Sequence, residues 1–204
     1  MSIADPEAVL AFWFGDDVVA LETPEALGPR VAVWFAPDPA FDARIRDRFA
    51  DLPGRAWAGE FDAWRDDARA TLALVLILDQ FPRNLYRGQA ESFAFDPLAY
   101  EVAVGAIARG FDAQVSPIEA MFLYLPLEHA EDADAQNRCV TLIDGLIGRC
   151  TAALQPQFES FRSYAVRHRD VIERFGRFPH RNALLGRAAT TEEVAYLEAG
   201  GETF

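Results

Sequence analysis

The three histidines are the residues of this chain whose placement most directly suggests chemistry. His129, His168 and His180 all lie in polar segments that also carry acids and arginines. An imidazole exchanges protons near neutral pH, so it can act as a general acid or base. The carboxylates of the same polar segments could orient it: Asp79, Glu128, Glu131 and Asp132. These residue types indicate acid–base chemistry or a site for a polar ligand.

Arginines are concentrated in the last third of the chain. Seven lie between residues 161 and 187, against the two acids Asp170 and Glu173, in a protein of formal net charge −13. They are Arg162, Arg167, Arg169, Arg174, Arg177, Arg181 and Arg187. A planar guanidinium binds a carboxylate or phosphate through two hydrogen bonds, so this segment suits an anionic ligand. The alternative is that these arginines neutralise the acids of the protein itself.

Asp79 occupies an unusual position, at the C-terminal end of the wholly apolar run 72–78. The helix dipole disfavours a negative charge there, so a cation such as Arg83 or Arg87 should stabilise it. One interpretation makes Asp79 the anchor of a buried ion-pair network. The other makes it a general base or the group that orients an imidazole.

Metal and nucleophile signatures are absent. No HExxH, ExxH or CxxC spacing occurs, and the adjacent Glu128 and His129 point about 100° apart on a helix. Neither GxSxG nor a glycine-rich phosphate loop is present. We expect no bound metal and no cofactor. Cys139 and Cys150 are predicted on one helix, roughly 16 Å apart and therefore reduced.

A short pattern occurs twice, about a hundred residues apart. Residues 81–84, Phe-Pro-Arg-Asn, are followed by Gly88, and residues 178–182, Phe-Pro-His-Arg-Asn, by Gly186. One interpretation is that Phe-Pro ends a helix while Asn supports the turn. The other is that two loops present matching Arg–Asn pairs to one shared cavity.

Helical signals dominate the elements that must position these residues. Capping residues precede prolines at Asp5-Pro6, Asp38-Pro39, Asp96-Pro97 and Ser116-Pro117, and capping boxes begin at Ser116 and Thr190. Apolar side chains recur with a helical period, and no run with period two is bounded by hairpin turns. The predicted helices are 5–14, 28–36, 39–52, 65–80, 97–109, 117–130, 133–154, 156–175 and 190–199.

Short connections between these helices predict stacked antiparallel helical hairpins. Segments 72–78 and 121–127 are apolar on all sides, so both should be central. No linker interrupts the chain, which predicts a single all-α domain over residues 1–204. The negative charge argues against nucleic acid and anionic membranes as partners. The acidic N-terminus and the shortness of the longest apolar run favour a soluble, cytoplasmic protein.

Three segments carry a family resemblance: LALVLILDQFPRNLYRG (72–88), FLYLPLEHAEDADAQNRCV (122–140) and RHRDVIERFGRFPHRNALLGR (167–187). They resemble the signature segments of a bacterial family known as domain-of-unknown-function family 924. Its members look like all-helical, tetratricopeptide-repeat-like proteins, so the resemblance implies that fold and no known activity. This chain has Leu127, Ala130 and Ala188 where Phe, Ser and an acidic residue are usual. Ala130 therefore provides no hydroxyl beside His129.

The leading hypothesis is a protein that binds a small anionic molecule in one pocket. Its predicted lining is Asp79, Arg83 and Asn84 on one wall, Glu128 and His129 on a second, and His168, Arg177, His180, Arg181 and Asn182 on a third. Catalytic candidates are Asp79, His129 and His180. Alternatives are a helical module that holds a peptide or protein, an acid–base or metal-assisted enzyme, and a structural network that locks helix ends together.

Overall fold

The computed structural model describes residues 4–16 and 18–204, and within these ranges the regular structure is helical, with no β-strand. The all-α prediction is confirmed. The α-helices are α1 (Pro6–Phe14), α2 (Pro24–Phe35), α3 (Pro39–Phe49), α4 (Leu52–Trp57), α5 (Ala68–Val75), α6 (Phe81–Leu85), α7 (Asp96–Ala108), α8 (Pro117–Glu128), α9 (Ala133–Ile147), α10 (Gln155–Phe175) and α11 (Thr191–Glu198). Residues 1–3, part of the acidic N-terminus considered above, lie outside the described ranges.

Most predicted helix starts are confirmed by the side chain that caps them. Asp5, Asp38 and Ser116 each accept hydrogen bonds from the first turn of the helix that follows. Ser116 and Thr190 also form complete capping boxes. The prediction for Asp96 as a cap is wrong, because α7 already begins at this residue and its side chain makes no capping bond.

Two central helices are buried on all sides, as predicted. Residues 70–78 and 118–128 are buried along their whole length. Helix α5 contacts α1, α7 and α8, while α8 contacts α7 and α9, and α9 contacts α10. One apolar cluster extends through these helices from Val9 to Ala165. The arrangement as one domain with tetratricopeptide-repeat-like stacking stays a prediction.

A π-helical turn, Leu76–Gln80, joins α5 to α6, so the chain remains helical through Pro82. Proline has no N–H for the carbonyl of Leu78, and the wider turn forms immediately before it, with the Phe81 N–H donating to the carbonyl of Leu76. The prediction that Phe81-Pro82 ends the helix is wrong for this reason. The wider turn also contains Asp79.

Other boundaries differ from the prediction at the start of α2 and at the end of α9. Helix α2 begins at Pro24 rather than residue 28, because Thr23 caps it. Helix α9 ends at Ile147, so Cys150 lies beyond the helix that contains Cys139, and both are free thiols. None of the helices in the described part of the chain has both the length and the apolar character needed to span a bilayer.

Candidate functional site

Four parts of the fold meet at one group of polar side chains. They are the π turn with α6, the start of α7, the C-terminal end of α8, and helix α10 with the loop that follows it. We call this group the polar cluster; its members are Asp79, Arg83, Asp96, Glu128, His129, His168, His180 and Arg181.

Asp79 is the fully buried carboxylate of the cluster. Its Oδ1 lies 2.7 Å from His129 Nδ1 and 3.2 Å from Arg83 Nη1, and its Oδ2 accepts a hydrogen bond from Gln80 Nε2 at 2.5 Å. Burial opposes ionisation, but the Arg83 charge and the contact with His129 outweigh it and hold the pKa of Asp79 well below its usual range. Asp79 is therefore an ionised acceptor at neutral pH.

His129 caps the C-terminal end of α8 and is oriented by Asp79. Burial and the charge of Arg83 lower the pKa of His129, so its ring is neutral at pH 7. Because the carboxylate can only accept, Nδ1 carries the proton and donates a hydrogen bond to Asp79 Oδ1. The Nε2 atom is then left as a basic acceptor. This Asp–His geometry is the one in which a carboxylate holds an imidazole as a general base.

Arg83 and Arg181, the arginines of the two repeated patterns, meet at Asp96. Arg83 forms two hydrogen bonds with Asp96, at 2.9 and 3.1 Å. Arg181 Nη1 lies 3.7 Å from the Asp96 carboxylate, beyond hydrogen-bond distance. Both guanidinium groups also lie over the ring of Phe93, at 6.0 and 4.7 Å from its centroid. The cation that Asp96 neutralises directly is therefore Arg83.

Arg181 is buried, and the carboxylates of Asp96, Glu131 and Asp79 compensate its charge from beyond hydrogen-bond distance. Its side chain is 7% exposed and Nη1 donates to the carbonyl of His129 at 3.0 Å. Its Nε is buried and has no hydrogen-bond partner among the described residues. Burial and the nearby charge of Arg83 lower the pKa of Arg181 to about 10. Arg181 remains a cation at neutral pH, but an anion beside it would be stabilised.

The other six arginines between residues 161 and 187 behave differently. Each has a carboxylate oxygen within 3.0 Å: Arg162 with Asp144, Arg167 with Glu202, Arg169 with Asp170, Arg174 with Glu192, Arg177 with Glu193 and Arg187 with Glu131. For these six, the interpretation that they neutralise the acids of the protein itself agrees with the structure. Arg181 is the exception, because its nearest carboxylate, that of Asp96, lies 3.7 Å away.

Glu128 and His168 form a buried pair in which both groups are neutral. Glu128 Oε1 lies 3.4 Å from His168 Nδ1, which is also 3.0 Å from the carbonyl of Tyr164. Burial, and then the charge of Asp79, raise the pKa of Glu128 to about 8. Burial lowers the pKa of His168 to about 2. At pH 7, Glu128 is thus a protonated carboxylic acid that can donate a hydrogen bond.

His180 completes the cluster on its aromatic side. Its ring lies 5.7 Å from Phe178 and 6.1 Å from Phe204, centroid to centroid. Its Nδ1 is buried without a partner in the described part of the chain. Burial and the charge of Arg181 lower the pKa of His180 to about 4. A polar atom is therefore available here for hydrogen bonding.

Three predicted lining residues form hydrogen bonds elsewhere. The Asn84 amide donates to Asp42 at 2.8 Å, away from the cluster. Arg177 forms two hydrogen bonds with Glu193, at 2.6 and 2.8 Å. Asn182 donates to Glu193 and accepts from Arg187. These residues fasten loops to helices, so we correct the predicted lining by leaving their side chains out.

Sequence reasoning missed Asp96, Phe93 and Phe204. Asp96 looked like a helix cap because proline follows it, and only its distance from Arg83 reveals its role as counter-ion. Phe93 and Phe204 carry no local pattern. No sequence signal could have identified them without the fold.

A separate solvent-open hollow lies between α1, α5 and α8, lined in part by Glu7, Arg69 and Glu119. Its arginine is already neutralised, since Arg69 forms two hydrogen bonds with Glu7 and one with Glu119. The residues described here contain no group of three or more His, Cys, Asp or Glu side chains arranged to hold a metal ion.

The fold and the cluster define an all-helical protein in which a buried network of ion pairs and neutral imidazoles joins several helix ends. The chain belongs to the family of bacterial proteins of unknown function called DUF924, which matches residues 9–201. It is similar to a solved structure of a protein of unknown function from Agrobacterium tumefaciens, at 42% identity and a TM-score of 0.77, over 96% of this chain and 97% of that one. The comparison with curated proteins found no match.

Proposed function

We propose that this protein binds a small anionic molecule, a carboxylate or a phosphate-like group, beside Arg181. The observation that carries the proposal is the buried Arg181 guanidinium. Its Nε has no hydrogen-bond partner among the residues that the structure describes, and its nearest carboxylate, Asp96, is 3.7 Å away. A buried cation in this condition is costly, and an anion that binds it relieves the cost.

Neighbouring groups support the same proposal. His180 and the protonated Glu128 are neutral at pH 7, so neither repels an anion. Glu128 can also donate a hydrogen bond. The ionised Asp79 is already occupied by Arg83, His129 and Gln80. The polar cluster therefore offers the Arg181 cation with the neutral His180 beside it.

Thermal unfolding with sulfate and with acetate tests the proposal. A ligand at a hundred times its Kd stabilises the folded state by about 2.7 kcal/mol. We expect stabilisation of the wild type and of the control Arg174→Gln, whose exposed arginine pairs with Glu192. Arg181→Gln should lose the effect. Equal stabilisation of Arg181→Gln would refute the assignment, and no stabilisation of any variant would favour the structural interpretation.

A second candidate function is acid–base catalysis on the bound anion, favoured by the 2.7 Å contact between Asp79 Oδ1 and His129 Nδ1. It requires His129 to carry its proton on Nδ1 and to leave Nε2 basic. Nitrogen-15 NMR of the imidazoles distinguishes the two tautomers. A His129 protonated on Nε2 in the wild type would rule out the general-base role.

We further propose a cytoplasmic location, which the two free thiols Cys139 and Cys150 support, since cytosolic proteins keep their cysteines reduced. A peptide-holding groove stays a prediction.

A further inference from the structure

The ring of Phe204 occupies a slot formed by aromatic and imidazole side chains. It stacks on His168 with a centroid separation of 3.5 Å and an interplanar angle of 21°. Phe178, His180 and Tyr164 surround it, with centroids at 5.9, 6.1 and 6.1 Å. Phe204 itself remains partly exposed. The slot is therefore a shaped recess for one flat ring, and Phe204 fills it from the outside.

A short non-helical segment, Gly200–Phe204, brings this ring to the slot. We call it the strap. Gly200 has a φ of +79°, and a side chain on Gly201 would collide with the ring of Tyr196. These two glycines let the chain fold back over Tyr196. Glu202 then anchors the strap through its N–H to the Tyr196 hydroxyl at 2.8 Å and through its carboxylate to Arg167 at 3.0 Å.

The anchors of the strap are weak. Arg167 and Glu202 are 40% and 36% exposed, and an ion pair in that setting contributes at most about 1 kcal/mol. The stacking of Phe204 therefore accounts for much of what holds the strap in place. A competing ring that enters the slot would displace Phe204 from His168 and from its packing against Val171, Ile172 and Phe178.

The slot borders Arg181, the cation of the proposed anion site. The Arg181 guanidinium carbon lies 4.3 Å from the centroid of Phe178, whose ring also contacts Phe204. His180, whose buried Nδ1 has no partner in the described residues, also lies beside Phe204. A ligand with a ring in the slot would stack against His168, and its anionic group would be attracted toward Arg181 across Phe178.

We propose that the ligand is an aromatic anion, and that Phe204 occupies the position of its ring until the ligand displaces the strap. This inference rests on the proposed function, because it takes Arg181 as the receiver of the charge. The attraction of the slot is stacking between flat faces, which every planar ring of suitable size can share. Aliphatic anions gain nothing from it.

Calorimetric titrations with benzoate and with acetate test the inference, since both carry one carboxylate and only benzoate carries a ring. We expect Phe204→Ala to bind benzoate about tenfold more tightly than the wild type, the scale of an aromatic stacking contribution. Its affinity for acetate should be unchanged. Glu202→Gln keeps the ring and weakens one anchor, so it should shift benzoate affinity in the same direction by a smaller factor.

Three results would contradict the inference. If Phe204→Ala and Glu202→Gln bind benzoate no better than the wild type does, the ring is a permanent part of the core and the slot receives no ligand. If acetate binds with dependence on Arg181 while benzoate shows no gain, the aromatic class fails and the anion site stands. If neither anion binds any variant, the proposed function fails together with the inference.

Discussion

Glu128→Gln should change how the stability of the protein depends on pH. Glu128 is 5% exposed, and burial together with the charge of Asp79 raises its pKa to about 8. In the unfolded chain, a glutamate titrates near pH ~4.3. Between these two values the folded protein holds a proton that the unfolded chain has released. Stability must therefore fall as the pH rises from about 4.3 to 8.

The magnitude follows from the size of the shift. One proton of difference changes the free energy of unfolding by about 1.4 kcal/mol per pH unit. Keeping Glu128 buried thus costs roughly 3 to 4 kcal/mol at pH 7, relative to pH 4. Glutamine has the same shape and no proton to lose, but its buried amide costs about 1–3 kcal/mol if unpaired. The slope against pH is therefore a sharper measure than stability at one pH.

Urea unfolding at pH 5, 6, 7 and 8 measures this slope. We expect the stability of Glu128→Gln relative to the wild type to increase by about 1.4 kcal/mol for each pH unit. Glu159→Gln, at an exposed position of α10, should run parallel to the wild type. Parallel curves for Glu128→Gln and the wild type would show that Glu128 is ionised in the folded protein, and the argument for a neutral Glu128–His168 pair would be refuted.

Three further outcomes follow from the structure. Asp79→Asn should lower the free energy of unfolding at pH 7 by about 3 kcal/mol in urea titrations, the low end for a broken buried pair, because Arg83 still pairs with Asp96. This loss of stability should become smaller below about pH 4. An unchanged stability would contradict the buried network. Sulfate affinity, measured by calorimetry, should rise as the pH falls toward the His180 pKa of about 4, since the imidazolium attracts the anion. The same rise in His180→Gln would contradict this role of His180. Ser116→Ala should cost about 1 kcal/mol through the lost cap of α8, and a change under a few tenths would contradict that role.

Local chemistry explains why most helix starts were predictable. Asp5 and Asp38 sit directly before the helices that they cap, so the interaction is contained in a few adjacent residues. Asp96 has the same local sequence and does something else, because Arg83 competes for its carboxylate from thirteen residues away. Local reasoning fails wherever a distant charge offers the stronger partner.

The candidate site was predictable in its residue types and less so in its partners. The end of a wholly apolar helix predicted a stabilised Asp79, and the structure places Arg83 and His129 beside it. Asn84 and Asn182 looked equivalent in the two repeated patterns, but Asn84 donates to Asp42, 42 residues away, and Asn182 donates to Glu193, 11 residues away. Which polar group meets which depends on the packing of helices that no short pattern encodes.

The position of a bound anion tests the central claim most directly. Crystals grown with selenate give an anomalous signal that locates the anion without reference to the protein density. We predict selenium within about 4 Å of Arg181 Nε, the separation of a nitrogen that donates to an oxygen of the anion. Selenate ordered only in the hollow beside Arg69, with no anion at Arg181, would contradict the account.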